Sequence, residues 1–455
     1  GVGSSLASEP VQVANASGHY AGANGARPFF DYELRSPLDL RTRIALPSAR
    51  RLPSGASTPA QEWWFDVPDR VRAFSFIATV EAAASGQTSP EGSLGATNPR
   101  VRVQTVIGLS PHLGFTPLLQ RDGPAEQATI NGLNSGLAVA PDGVVYLASY
   151  HTVRRYDPRT NQITTIAGKI GELGETTGGS FPGHVARLTV ARGIAAPRAG
   201  VVFVGDSTTS RIYALRHTGG DPARAQNWLV SSIIGTGVLG APDDSPTSPI
   251  GRPIALAAAS EHKLWFADSE DRICLATRGS GDVGAANNWR LSVLAGPGEG
   301  NSDVPPAFDG AWGLAVGHDG AAYIADYRNH KIRRITETGV VSTVAGAALG
   351  TSPPAYADGA SNPRFNNPSS LARDGAGYLY TTDRNGLRRI SPTGQVSTVV
   401  RYSATPADGF GPEASIGILT GGQPGNLAVA PDGDLWFVDD AGLRRISRVI
   451  STGSP

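Results

Sequence analysis

Gly313-Leu314-Ala315-Val316-Gly317-His318-Asp319-Gly320-Ala321-Ala322-Tyr323-Ile324-Ala325-Asp326 is one copy of a pattern that the chain carries six times. The other copies run from Gly136 to Ser149, Gly193 to Asp206, Ala255 to Asp268, Ser370 to Asp383 and Asn426 to Asp439. Successive starts lie 57, 62, 58, 57 and 56 residues apart. So regular a spacing marks a repeat architecture, in which each unit buries its apolar faces against its neighbours.

Within each unit the residues read as strands. A short run of small and β-branched residues suits a crowded strand beside a central channel. A turn such as Ala140-Pro141-Asp142-Gly143 or Ala430-Pro431-Asp432-Gly433 then reverses the chain. The second strand places an aromatic three residues before the Asp position: Tyr146, Phe203, Trp265, Tyr323, Tyr380 and Trp436. Large flat side chains at equivalent positions are what neighbouring blades need to pack face to face. A third strand follows, four times bearing an Arg pair (Arg154-Arg155, Arg333-Arg334, Arg388-Arg389, Arg444-Arg445) expected to meet acidic neighbours. A fourth recurs as Ile163–Ile166, Val230–Ile234, Leu291–Leu294, Val341–Val344 and Val396–Val399. Four strands per step predict an all-β chain folded as a six-bladed β-propeller.

The sixth unit has no fourth strand before Pro455, but Val103-Gln104-Thr105-Val106-Ile107-Gly108 has the form of Val341-Ser342-Thr343-Val344-Ala345-Gly346. The N-terminal strand is therefore expected to pair with the third strand near Leu443 and close the ring, which removes the exposed edges of an open sheet.

Composition agrees with such a fold. The chain has 455 residues, with 57 Gly and 34 Pro, about a fifth of the total, and 40% hydrophobic residues. Gly and Pro at that level suit many tight turns. Lys plus Arg equals Asp plus Glu at 39 each, which leaves no bulk charge to attract nucleic acid. No apolar run reaches the length of a membrane span. The chain has no Met and a lone Cys274, and it begins Gly1-Val2-Gly3. These features suggest a mature exported chain whose leader has been removed, at home outside the cell, on its surface or in the periplasm.

Tyr323-Ile324-Ala325-Asp326-Tyr327-Arg328-Asn329-His330-Lys331-Ile332-Arg333-Arg334 resembles the core of an NHL repeat, in which Asp and Asn-His precede a basic, apolar third strand. The resemblance covers residues 98–455 and is degenerate in other units, where Ser149 replaces the Asp and Thr208-Thr209-Ser210 or Glu270-Asp271 replaces Asn-His. It implies a propeller fold. NHL propellers and their relatives include protein- and RNA-binding scaffolds, lyases and lactonases, so the resemblance leaves the activity open.

Ahead of the ring, residues 1–27 are Ser/Ala/Gly-rich and expected to be extended or poorly ordered. Residues 28–97 alternate as strands around Leu38–Leu46, Trp63–Val67 and Phe74–Val80, a small β-sandwich or β-extension.

Asp206, Asp268, Asp326, Asp383 and Asp439 recur at one blade position, which favours structural caps of the turn between strands two and three over metal or acid–base roles. Residues just before each inner strand should reach the channel mouth: Ser135, Arg192, Ile254, Trp312, Ser369 and Gly425. Of these, Arg192 and Trp312 suit an anionic or planar group. The neighbouring turns add Tyr150, His151, Tyr327, Arg328 and Arg384. No metal-ligand cluster, cofactor motif or nucleophile elbow stands out, so no metal or cofactor is expected. Twin insertions, His217 to Trp228 and Arg278 to Trp289, each end in Asn-Trp on the opposite face. The expected function is a non-catalytic extracellular or envelope scaffold. Its propeller loops and N-terminal domain would bind a protein, a glycan or copies of the chain. The alternative is a lyase- or lactonase-type propeller enzyme with its site at the channel mouth.

Overall fold

A computed structural model of the chain describes residues 101–109, 120–130, 136–172, 174–177, 179–296, 303, 307–346, 357–359, 363–410, 413–417 and 426–447. It also describes the N-terminal strands Val2–Ser4, Gln12–Val13, Leu40–Ile44, Phe65–Pro68 and Phe74–Phe76. The chain divides into two compact units, Gly1–Ser89 and Pro90–Pro455. In the first, Phe65–Pro68 pairs antiparallel with both Leu40–Ile44 and Gln12–Val13, and Val2–Ser4 pairs with Phe74–Phe76. The rest of the expected strands over 28–97 lie outside the described residues.

The second unit is a six-bladed β-propeller. From the channel outward, blade 1 runs Gly136–Val139, Val145–Ser149, Thr152–Asp157 and Gln162–Gly168. Blade 2 runs Ala191–Arg198, Val201–Asp206, Arg211–His217 and Trp228–Ile234. Blade 3 runs Pro253–Ser260, Lys263–Asp268, Ile273–Arg278 and Trp289–Ala295. Blade 4 runs Ala311–Val316, Ala322–Asp326, Lys331–Ile335 and Val341–Gly346. Blade 5 runs Ala372–Arg373, Leu379–Asp383, Gly386–Ile390 and Val396–Arg401. Blade 6 takes Leu427–Val429, Leu435–Asp439 and Gly442–Ser447 from the C-terminal side and Arg102–Leu109 from the N-terminal side.

The closing pair is antiparallel, with Leu443 opposite Ile107 and Ile446 opposite Val103. Each inner strand touches the next all the way round, and Leu427–Val429 returns to Gly136–Val139. The apolar core is correspondingly split into six clusters, each shared by two adjacent blades.

The repeated aromatics sit in these seams. Tyr146 meets Trp228 edge-on at 6.1 Å, Phe203 meets Trp289 at 5.4 Å, and Trp436 lies 5.7 Å from Tyr156. Trp228 and Trp289 are the closing residues of the twin insertions, and both are fully buried. Each insertion folds alike: a single 3-10 turn, an indole N–H donated to Pro222 O or Val283 O, and an Asn amide donated to Asp221 O or Asp282 O. These tryptophans join adjacent blades.

Some blades have more strand than the four expected. Gly123–Pro124, Ser180–Pro182 and Gly409–Phe410 add a short fifth strand over the outer edges of blades 1, 2 and 6, and Gly359 bridges Val396 in blade 5. Covered edges cannot template pairing with another chain.

At Gly136, the start of the blade 1 inner strand, the seam leaves no room for a side chain. A Cβ at Gly136 would lie 1.8 Å from the Arg192 carbonyl oxygen, whereas one at Gly108 in the closing strand would meet nothing within 4 Å. Gly136→Ala is therefore expected to lower stability by about 1–3 kcal/mol or more. Gly108→Ala should leave it unchanged or raise it by about 0.5–1 kcal/mol, as measured by urea unfolding of the two variants side by side.

Candidate functional site at the channel mouth

The turns between second and third strands face the channel mouth, and buried carboxylates hold them there. Asp206, Asp268, Asp326, Asp383 and Asp439 end their strands at 0–1% exposure. Asp206 accepts the N–H groups of Thr208 and Thr209 on its own turn, at 3.1 and 3.2 Å. It also reaches back to Thr189 N at 2.6 Å in the loop that leads into the blade. Asp268 with Gly251 N, Asp326 with Asp309 N and Asp383 with Asn366 N repeat that reach at the same 17-residue separation. Asp439 does so to Gly417 N. Burial pushes the Asp326 carboxyl up to about 6 despite its donors, and the Asp383 carboxyl upward as well.

A second carboxylate set, absent from the sequence expectations, completes the support. Arg154, Arg333, Arg388 and Arg444 are fully buried at one position of the third strand. Arg388 bonds Asp383 at 3.0 Å and Asp358 at 2.6 Å, and Arg444 bonds Asp439 at 2.8 Å and Asp408 at 2.9 Å. Arg333 likewise joins Asp326 and Asp303. In blade 1, where Ser149 stands in the cap position, Arg154 takes Asp122 and the carbonyls of Arg121 and Thr129. The second Arg of each pair turns to other partners: Asp157, Asp319, the Tyr378 ring, or Asp434.

Beside this Arg position the outer strand carries a β-bulge in all six blades, skipping Val106, Ile166, Ile233, Leu294, Val344 and Val399. Next to the bulge, the N–H groups of Thr105, Thr165 and Thr398 are bound by Asp408, Asp122 and Asp358. Each of these acids stands in an Asp-Gly dipeptide, Asp122-Gly123, Asp358-Gly359 and Asp408-Gly409, but the same dipeptide recurs at Asp142-Gly143, Asp319-Gly320 and Asp432-Gly433 and does not single them out.

The channel is nearly filled. Leu137, Ile194, Leu256, Leu314, Leu371 and Leu427, one from each blade, line a cavity of about 40 Å³. That is room for a few waters. Arg192, Ile254 and Trp312 line the same opening. Ser369 does not; it is buried against Thr382. Ser135 and Gly425 fall outside the described residues.

At the mouth, the Trp312 indole stacks on the Tyr327 ring, centroids 3.8 Å apart and planes 27° apart. The stack is braced from behind: Tyr327 N donates to Gly310 O, and the Asp271 carboxylate accepts Gly310 N and Ala311 N. Arg384 comes within 3.4 Å of the Tyr327 hydroxyl. Exposed Arg328 bonds Asp309 at 2.9 Å. Across the ring, Tyr150 holds the left-handed region at φ 50° and sets its ring edge-on to His151. His151 itself lies beneath the surface at 6% exposure, and burial pushes its pKa down. Arg192 is half-buried, which lowers its pKa too. The structure thus gathers Trp312, Tyr327 and Arg384 into one patch and sets His151 below the face. Among the described residues no three His, Cys, Asp or Glu side chains converge as a metal site, and no helix is long and apolar enough to cross a membrane.

No family model matches the chain. It is 24% identical over 353 residues to mouse teneurin-3 (Mus musculus), a match covering 70% of this chain and 12% of that protein. The chain therefore spans a small part of the curated relatives it matches. Among solved structures, a structural genomics protein of unknown function from Bacteroides thetaiotaomicron superposes with a TM-score of 0.54 at 16% identity, covering 91% of this chain and 99% of that one. An auxiliary nutrient binding protein from the same organism gives 0.51 at 15%, covering 85% and 86%. At these identities the likeness is one of fold.

Replacing Arg388 by Ala strands Asp358 and Asp383 without their cation and is expected to cost about 3–5 kcal/mol. Arg328→Ala, on an exposed pair, should cost less than about 1 kcal/mol. Denaturant midpoints of the two variants check the difference.

Proposed function

We propose that the chain is a non-catalytic, exported binding scaffold of the NHL-repeat type. Its channel-mouth face grips a protein segment, with a glycan or a second copy of the chain as the other partner classes. The observation that carries this reading is half-buried Trp312 at the channel opening with exposed Arg384 nearby, the indole being held from behind by Tyr327, which is itself buried at 8% exposure. Tryptophan, tyrosine and arginine are the residue types that concentrate binding energy at protein interfaces: the aromatics offer a large contact area with only two torsions to freeze, and arginine offers a planar, charged fork of donors. The buried carboxylate–arginine scaffold beneath keeps the patch in place before a partner arrives, which lowers the ordering cost of binding.

The lyase or lactonase alternative finds less support. Its acid–base candidates are His151, which lies under the surface, and His330, whose Nδ1 already accepts the N–H of Asn367.

The test is binding of the immobilised full chain to a peptide library, a glycan array and the chain itself. Any partner found should bind Trp312→Ala at least about tenfold more weakly, or about 1.4 kcal/mol, with the melting curve unchanged. Equal binding by Trp312→Ala and Tyr327→Ala would move the site elsewhere. Turnover of a lactone or ester by the wild-type chain would overturn the non-catalytic reading.

A further inference from the structure

The turn that carries Tyr327 ends on His330, and the loop leading into blade 5 contains Asn367. Both residues hold φ at 57°, the left-handed region that favours glycine. They are bonded to each other across the seam: the Asn367 N–H donates to His330 Nδ1 at 3.1 Å. Asn367 also donates its side-chain amide to Tyr327 O at 3.2 Å. Arg384, which touches the Tyr327 hydroxyl, is fixed through its own N–H to Asn366 O at 2.9 Å. One turn of blade 4 and two segments of blade 5 thus clasp one another directly behind the ring that stacks on Trp312.

We propose that this clasp is an acid-sensitive latch on the channel-mouth face: protonation of His330 turns Nδ1 from acceptor to donor, sets it against the Asn367 N–H, and releases Tyr327 from Trp312. The regulatory role rests on the binding function assigned above to that face, whereas the latch itself stands on the seam geometry. A ring nitrogen that accepts a backbone N–H cannot carry a proton, so protonation and this hydrogen bond are mutually exclusive. No rotation of a hydroxyl or amide can repair the contact, because the Asn367 donor is main chain.

The charged surroundings point the same way. The Arg384 guanidinium faces the imidazole from blade 5, while Asn366 and Asn367 of the lead-in loop are uncharged. On its own turn lie Arg328, Lys331 and the buried Asp326. Burial and Arg384 together hold the imidazole below the ordinary histidine value of 6.5. A group whose folded pKa is depressed binds fewer protons in the folded state. The clasp is therefore complete above pH 6.5 and is lost as pH falls through the lower folded value.

Asp326 titrates at about 6 on the same turn, so the decisive variant is His330→Asn. Asn tolerates the left-handed region, and its side-chain oxygen accepts a hydrogen bond without titrating. Amide hydrogen exchange of Asn367 is measured in the full chain without ligand, between about pH 7.5 and about pH 4.5, and corrected for intrinsic exchange. Those limits bracket the unperturbed histidine pKa. In the wild-type chain, protection should fall at least about tenfold, a change of 1.4 kcal/mol, in step with a shift in Trp312 emission taken as the difference from Trp312→Phe. In His330→Asn both should stay flat. Constant protection in the wild type, or an equal loss in His330→Asn, would overturn the latch. Because neither readout uses a ligand, a latch that opens while no partner binds would fault the assigned function and leave the latch standing.

Discussion

Four arginines with no exposed surface, Arg154, Arg333, Arg388 and Arg444, set the conditions that the rest of the propeller meets. A guanidinium out of water is tolerated only when its donors are taken up by carboxylates and carbonyls. In blades 4, 5 and 6 this requires two acids from different places: the cap at the end of the second strand and an Asp in the loop leading into the blade. The loop Asp in turn binds outer-strand Thr residues beside the bulge, with their main-chain N–H in blades 1, 5 and 6. Cap, third strand, outer strand and lead-in loop are thereby tied through one charge cluster. The loops that form the channel mouth are held by the blades they precede, and the face they build is set by buried charge pairs rather than by loop chemistry.

Blades 2 and 3 meet the same need differently. Tyr213 and Cys274 occupy the arginine position, and the cation moves two residues earlier, to Arg211 and Arg272. Arg272 keeps the cap Asp268 as its partner, at 2.8 Å, and takes Gly240 O from the lead-in loop. Arg211 pairs with Glu175 and takes the carbonyls of Gly235 and Thr236. These blades also carry the Asn-Trp insertions, whose indoles fill the seams on the other side. Loop anchoring by a buried or half-buried cation therefore persists while its residue positions shift, as expected if the loop tie, more than the residue pattern, is what the fold requires.

The fold was legible because it depends on periodic features. The second-strand aromatic recurs in all six units, the cap Asp in five and the inner-strand Gly in three, at a nearly constant step, and Val103 to Ile107 matched the missing outer strand closely enough to name its partner near Leu443. The loop acids were not legible for the complementary reason. Their separations from the arginines they bind are 32, 30, 30 and 36 residues across insertions of unequal length. A bulge leaves no mark in an alternating apolar pattern. At the mouth, Arg192, Ile254 and Trp312 were placed by counting back from the inner strand. The same count misplaced Ser369, because blade 5 begins its inner ladder only at Ala372 and hydrogen-bonds Ser369 to Thr382 instead. The Trp312–Tyr327 stack joins two elements 15 residues apart, and only the geometry of the turn brings them into register.

That turn also shows why the mouth differs from the rest of the ring. One residue of the second-to-third-strand turn is left-handed in four blades without being glycine: Tyr150, Ser210, Asp271 and His330. Blades 5 and 6 place Gly386 and Gly442 at the corresponding corner. A side chain held in that region persists where the surroundings fix it, and three of the four reach the next blade. Tyr150 O accepts Ala191 N, Asp271 accepts Gly310 N and Ala311 N, and His330 Nδ1 accepts Asn367 N. In these three corners the backbone strain is thus offset by a bond across the seam. Of these three acceptors, two are titratable side chains and one is a main-chain carbonyl. The seams flanking blade 4 are therefore the ones whose joints depend on protonation, and blade 4 is the blade that supplies both Trp312 and Tyr327.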